Sequence, residues 1–205
     1  MLLLAARHGE TDLPGKCRGR RTHCVLTPEG TAQTIENLGT MHAGGARILY
    51  TSTMARASVA GVLAKENFGM EHRALPDLDA IDGGDWEGIP WKEVAERWPE
   101  QLALCDTDAR AMVIPNALES VADFEERIFR ALRAIHEECR TGFRGSLPIA
   151  GVVTHGCVIG VLDAAARNSP RISLRDKGVP PGALRAYLYE GQELRPAPAS
   201  MVPAT

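Results

Sequence analysis

Two short stretches of the chain hold the residue types with the most chemistry to offer. Arg7, His8 and Gly9 follow the apolar run Leu2 to Ala6, and His155 with Gly156 closes the apolar run that starts at Ile149. One histidine-glycine pair after an apolar run is most simply a packing or capping histidine. Two such pairs, each ending a strand of one parallel sheet, would share a rim, and ligands of open α/β sheets bind outside the carboxyl ends of the strands. Glycine beside each histidine, Gly9 and Gly156, would let backbone and ligand approach closely. Arg7 precedes His8, and Arg56 follows a further apolar run in the stretch TSTMARA. Two guanidiniums and two imidazoles facing one point describe a pocket for a tetrahedral dianion, because arginine pairs bidentately with phosphate oxygens and keeps its charge. The same guanidiniums depress an imidazole's pKa and keep it neutral, hence nucleophilic, near pH 7. Phosphoryl transfer needs an in-line nucleophile, positive charge on the equatorial oxygens and a proton for the leaving oxygen. His8 is expected to attack while Arg7, Arg56 and His155 hold charge, with Thr11 in the same loop.

The elements that must position these residues are legible as alternating patterns. Strands are expected at Leu2 to Ala6, Ala46 to Ser52, Ile149 to His155 and Ala183 to Glu190; the third has few polar residues on either face, as a doubly covered sheet requires. Thr27 followed by Pro28 starts a helix carrying Ala32, Ile35 and Leu38, which stops at Gly44 and Gly45. Ser120 and Asp123 form a capping box, and Val121, Phe124, Ile128, Leu132, Ile135 and Cys139 then repeat at helical spacing. Strands separated by helices predict an α/β three-layer sandwich with a mostly parallel central sheet and helices on both faces. The stretch Gly83 to Pro115 is read as an insertion over the sheet's edge, with its helical part at about 89–118 and EVAERWPEQLALC as one helix. Trp86 and Trp91 within it are expected to pack. A single domain is expected over 1–191, followed by a proline-rich tail, 192–205, that frays.

Composition narrows the function classes. The 205 residues are 44 % hydrophobic and 24 % charged, enough for one good core, and a net charge of −3 gives no global field toward nucleic acid or an anionic membrane. The five cysteines are scattered without metal-ligand spacing, which predicts reduced thiols. The opening MLLLAA lacks a basic start and the length of a signal sequence, and no run is long enough to span a membrane. A cytoplasmic protein is expected. His23, His42, His72 and His136 have no partner pattern and are read as surface groups.

In this order, RHGET at Arg7 to Thr11, TSTMARA ending at Arg56 and Ala57, GDWEG at Gly84 to Gly88, LESVADFEERI at Leu118 to Ile128 and VVTHG at Val152 to Gly156 resemble the successive blocks of the histidine phosphatase superfamily. The resemblance implies the phosphoglycerate mutase-like fold, a phosphohistidine on His8, phosphoryl binding by Arg7 and Arg56, and stabilisation of the transferring phosphate by His155. It implies no metal and no organic cofactor. The chain's length and its Cys17 to Arg20 loop are similar to the alpha-ribazole phosphatases and broad-specificity relatives.

The chain also departs from the family's pattern. The glutamate that protonates the leaving group, four residues before Gly84, is replaced by Ala80. Losing general acid help costs about 10²- to 10⁴-fold. Asp82, and after it Asp79, are the nearby carboxylates expected to swing in as the substitute acid. No aspartate follows His155 and Gly156 directly. Pro14 stands where the family commonly has a phosphate-touching asparagine, and proline has neither a side-chain donor nor an N–H. The loop from Gly15 to Gly30 carries Arg18, Arg20 and Arg21, of which Arg20 and Arg21 are expected to recognise the non-reacting part of an anionic substrate. The function expected is hydrolysis of a small phosphorylated metabolite. The alternatives are a phosphoglycerate-type mutase and a phosphate-binding pseudoenzyme. Neither nucleic acid nor membrane is expected as a partner, and a homodimer is left open.

Overall fold

The structure, a computed structural model, describes residues 1–142, 147–174 and 178–202. Six strands form one sheet: β1 (Leu2–Arg7), β2 (Ile48–Thr51), β3 (Glu71–Ala74), β4 (Ile149–Thr154), β5 (Leu184–Glu190) and β6 (Glu193–Pro196), in the order β3-β2-β4-β1-β5-β6. The first four strands in that order run parallel, and β5 and β6 complete the sheet antiparallel. All six side chains of the central strand β1 are buried, and Leu2 to Ala6 are accordingly apolar on both faces, with the buried Arg7 at the end that meets the site. Leu3 and Ala5 point into one core cluster, Leu2, Leu4 and Ala6 into the other.

Helices cover each face. On one side α1 (Pro28–Ala43) and α2 (Ala55–Phe68) contribute Leu38, Met41, Ala57, Ala60 and Ala64. On the other, α5 (Val121–Gly142) and α6 (Gly156–Ala166) supply Phe124, Ile128, Leu132, Val158 and Leu162. The two caps expected from sequence form: Thr27 Oγ1 accepts from Gly30 N at 3.0 Å, and Ser120 exchanges hydrogen bonds with Asp123. Among the described residues no helix is long and apolar enough to cross a membrane.

Three expectations need correction. The segment EVAERWPEQLALC is two helices, α3 (Trp91–Arg97) and α4 (Pro99–Thr107), because Pro99 cannot donate in a helix and pushes Trp98 to φ −136, ψ 58. Nor does this insertion sit over an edge of the sheet. Its Trp91, Cys105, Met112 and Ile114 line the same pocket as Arg7, His8 and His155, at the ends of the two central strands. Finally, the boundary expected at 191 cuts a hairpin. Gly191 and Gln192 both take positive φ, 54 and 90, the geometry of a two-residue turn whose twist matches its strands, and the chain continues as β6 instead of fraying from 192. β6 and β3 are edge strands with few buried side chains, so neither has an apolar alternation to read.

The register of β1 on β4 positions the site. Arg7 pairs with Thr154, and His8 N donates to Thr154 O at 2.9 Å, so His8 and His155 leave adjacent parallel strands at one level. Gly9 is required for a reason other than ligand approach. A Cβ there would lie 2.0 Å from Gly30 O, and a Cβ on Gly30 would lie 2.0 Å from Glu10 O, so the loop after β1 crosses the first turn of α1 backbone to backbone. Gly39, further along α1, has only ordinary contact with Phe68 at 3.5 Å. Gly30→Ala is therefore expected to lower stability in a denaturant melt by about 1–3 kcal/mol through forced displacement. Gly39→Ala in the same helix is expected to raise it by about 0.5–1 kcal/mol through helix propensity.

Candidate active site

The two histidines and two arginines converge. Arg7, His8, Arg56 and His155 are each at most 4 % exposed, and the imidazole centroids lie 5.3 Å apart with the rings inclined at 68°. All four line one pocket together with Arg18 and Gly156. Its opposite wall is apolar: Ile81, Trp86, Trp91, Met112, Ile114 and Leu174. Trp86 packs as expected, 2 % exposed and with its ring 6.4 Å from those of Trp91 and Trp98, and it also lines this pocket.

Hydrogen bonds fix which nitrogen of each imidazole carries the proton. His8 Nδ1 lies 2.8 Å from Gly9 O. A carbonyl only accepts, so Nδ1 holds the hydrogen and Nε2 keeps its lone pair. His155 has the opposite assignment. Arg56 Nε, always a donor, points at His155 Nδ1 at 3.3 Å, so His155 Nε2 carries the hydrogen and donates to Ser52 Oγ at 2.8 Å. Arg56 in turn is wrapped by the loop before α1: its terminal nitrogens donate to Thr22 O at 3.1 Å and Gly19 O at 3.1 Å. Arg7 is held by Val179 O at 2.5 Å.

Both imidazoles are held neutral. Burial pushes the His8 pKa well below 6.5, and the guanidiniums of Arg7, Arg56 and Arg18 push it further, against the hydrogen bond to Gly9. His155 is pushed down by burial, then by Arg56, His8, Arg7 and Arg127. His155 is also the N-cap of α6, whose first residues, Gly156 and Cys157, line the pocket and add the positive end of a helix dipole. A neutral nitrogen lone pair amid fixed positive charge suits a phosphoryl group.

The other sequence-selected residues fall elsewhere. Asp82, expected as the substitute acid, is held outside the pocket lining. Its Oδ2 accepts from Arg21 at 2.7 Å and Leu118 N at 2.8 Å, and its Oδ1 accepts from Gly84 N at 3.0 Å. Burial raises its pKa, but these donors together hold it below the usual carboxylate value, so it stays ionised. Asp79 is also locked, by Ser52 Oγ at 2.7 Å and by Thr53 N and Oγ1 at 2.8 and 2.9 Å. Arg21 is spent on Asp82 and Asn116 O, and Arg20 lies 3.5 Å from Glu119, so both brace the loop rather than face the pocket. Arg18 is the arginine of that loop lining the pocket, and it donates to Thr11 Oγ1. Thr11 therefore orients Arg18.

Sequence reasoning missed Arg127 and Glu119. Arg127 donates to Glu119 through Nε and Nη2 and to the carbonyls of Asp77, Asp79 and Ala80. Its side chain is 7 % exposed, and it pins the whole Asp77 to Ala80 turn from α5. The only signal was a charge on an otherwise apolar helical face, one turn after Phe124.

A family model described as the histidine phosphatase superfamily, branch 1, matches residues 3–197. A metal-independent phosphoserine phosphatase of Arabidopsis thaliana is 31 % identical over 163 residues, 77 % of this chain and 65 % of the plant protein. The chain spans less than two thirds of the length of the curated relatives it first matches, 65 % of that one and 62 % of an uncharacterised Bacillus subtilis phosphatase. Among solved structures, the alpha-ribazole phosphatase of Shigella flexneri superposes with a TM-score of 0.76 at 21 % identity, covering 96 % of this chain and 95 % of that one. YhfR of Bacillus stearothermophilus gives 0.79 at 23 % identity, covering 96 % and 95 %. These superpositions match the fold.

The neutral histidines carry a linkage consequence. Each is lowered in the folded protein, so below the unfolded value of 6.5 the unfolded chain binds a proton that the native site refuses. Stability is expected to fall as pH drops from 6.5 toward about 5, by up to about 1.4 kcal/mol per pH unit for each histidine. Denaturant melts of His8→Gln and His155→Gln should show a shallower slope over that window than the parent, and an unchanged slope would contradict the assignment of neutral rings.

Proposed function

This chain belongs to the histidine phosphatase superfamily, branch 1, and on that premise we propose that it hydrolyses phosphomonoesters through a phosphohistidine formed on His8. The observation that carries this reading is the hydrogen bond from His8 Nδ1 to Gly9 O, which leaves the Nε2 lone pair as the nucleophile in a pocket walled by guanidiniums. In the first step Nε2 bonds to phosphorus as the ester P–O bond breaks, and the leaving oxygen takes a proton. In the second, water attacks the phosphorus of phospho-His8, the N–P bond breaks, and inorganic phosphate departs with Nε2 restored. Arg7, Arg56 and Arg18 neutralise the phosphoryl oxygens through both steps, the term that dominates this class of reaction.

The part of the substrate beyond the phosphate meets Trp86, Trp91, Met112 and Ile114, which favours an organic group with apolar surface over a polyhydroxy acid. The names of the relatives, phosphatases in the plant and bacterial cases, support hydrolysis as the overall outcome.

Steady-state release of phosphate tests both statements. Turnover of para-nitrophenyl phosphate is expected, with loss of about 10³-fold or more in His8→Ala. Acid-labile phosphate should be trapped on His8 in the parent. Benzyl phosphate should exceed glycerol 3-phosphate in kcat/KM by about 10-fold or more, and Trp91→Ala should remove most of that preference. Equal kcat/KM for the two esters would overturn the assignment of the apolar wall.

A further inference from the structure

The pocket has a nucleophile and charge, yet among the described residues no carboxylate lines it. Position 80 is alanine, Asp82 is held ionised in its own network, and Asp79 is locked. Among the described residues the pocket's proton-bearing side chains include His155, and a chain of hydrogen bonds stands behind that ring. Ser52 is fully buried, and its Oγ donates to Asp79 Oδ1 at 2.7 Å while accepting from His155 Nε2 at 2.8 Å and from Met54 N at 3.1 Å. Every hydrogen-bonding capacity of that hydroxyl is thereby used, in one direction only. Asp79 Oδ1 accepts the serine proton, and the serine oxygen then takes a donor from His155. The Arg56 contact on Nδ1 gives the same tautomer from the other side of the ring.

We propose that Asp79, acting through Ser52, makes His155 the proton donor to the leaving oxygen, the task for which position 80 offers no carboxyl group. The inference rests on the hydrolase reading above. Among the described residues, the charged groups facing His155 in the free protein are Arg56 from α2, Arg7 at the end of β1 and Arg127 from α5, with His8 as the neighbouring titratable ring and the Asp79 carboxylate beyond Ser52. Burial and these guanidiniums hold the ring neutral. A phosphate dianion in the pocket cancels much of that positive charge. His155 Nδ1 then takes up a proton, Arg56 Nε–H is released from Nδ1 to a phosphate oxygen, and the imidazolium is held by Nε2–H to Ser52 with the Asp79 charge behind it.

The proton account closes over the cycle. As His8 Nε2 bonds to phosphorus, the ester P–O bond breaks and Nδ1–H of His155 passes its proton to the departing oxygen. In the second step the neutral Nδ1 accepts a proton from the water that attacks phospho-His8, which regenerates the imidazolium as phosphate is released. Asp79 and Ser52 touch no reacting atom, so both are positioning residues. Asp79 serves as a carboxylate one hydroxyl removed from the ring, and three donors, Ser52 Oγ, Thr53 N and Thr53 Oγ1, keep it there.

Asp79→Asn preserves an acceptor for Ser52 and Thr53 while removing the charge, and Ser52→Ala breaks the link by a single oxygen should the first variant fold poorly. On benzyl phosphate, whose alkoxide leaving group needs a proton, each is expected to lower kcat by about 10²-fold or more with little change in KM. On para-nitrophenyl phosphate, whose leaving group needs none, the loss should stay below about 5-fold. The basic limb of kcat on benzyl phosphate should move down by about one pH unit or more in Asp79→Asn. Equal losses on both esters, or an unmoved limb, would overturn the proposal. Nitrogen-15 spectra of the His155 ring give a readout independent of turnover. With inorganic phosphate bound, both ring nitrogens should be protonated in the parent and Nδ1 bare in Asp79→Asn. A ring that stays neutral in the phosphate-bound parent sinks the relay even if esters are hydrolysed. Failure to turn over any ester or to phosphorylate His8 sinks the hydrolase reading instead, and the two failures are thus separable.

Discussion

The site depends on one constraint above others, the placement of a single proton on each of two buried imidazoles. His8 must present a bare Nε2, and that is secured by donating Nδ1–H to the carbonyl of the very next residue. His155 must carry its hydrogen on Nε2, which the Arg56 and Ser52 contacts impose from opposite sides. Inverting either tautomer would leave a buried carbonyl or guanidinium without its partner, at a cost of about 1–3 kcal/mol. The arginines then do two things at once. They give the pocket the positive charge that the proposed phosphoryl ligand requires, and they help keep His8 unprotonated.

The surrounding fold can be understood as what holds those charges in place. Parallel pairing of β1 with β4 sets the two histidines level. The loop before α1 folds its carbonyls around Arg56, and Thr11 orients Arg18 from the neighbouring strand end. From the far face, the ion pair of Arg127 with Glu119 clamps the turn that carries Asp79, so a contact made by α5 reaches His155 through a backbone carbonyl, a carboxylate and a hydroxyl. Both partners of that ion pair are largely buried, and removing one would strand the other, which typically costs about 3–5 kcal/mol. The inserted helices α3 and α4 complete the pocket by adding its apolar wall.

Much of this was legible from residue types alone. Strand β1 announces itself because a doubly covered strand must be apolar throughout, and the histidine-glycine pairs mark where two such strands end. Arg7 and Arg56 follow from the charge that a phosphoryl group demands. What escaped has a common physical cause: it depends on partners distant in sequence. The exposed edge strands β3 and β6 carry no apolar alternation, so only their pairing reveals them. Arg20 and Arg21 look like substrate ligands until Glu119 and Asp82 are found opposite them. Asp79 was visible as a carboxylate near the site, but its role as a locked anion behind Ser52 appears only when residues 27 positions apart are brought together. Gly9 was expected to admit a ligand, and its close approach to the first turn of α1 shows only once the chain is folded.

A crystal structure with orthovanadate bound tests the central claim most directly. The account predicts vanadium bonded to His8 Nε2, its equatorial oxygens received by Arg7 and Arg56, and His155 Nδ1 beside an oxygen rather than against Arg56 Nε. Vanadate held through any other nitrogen, or lodged away from these four side chains, would contradict it.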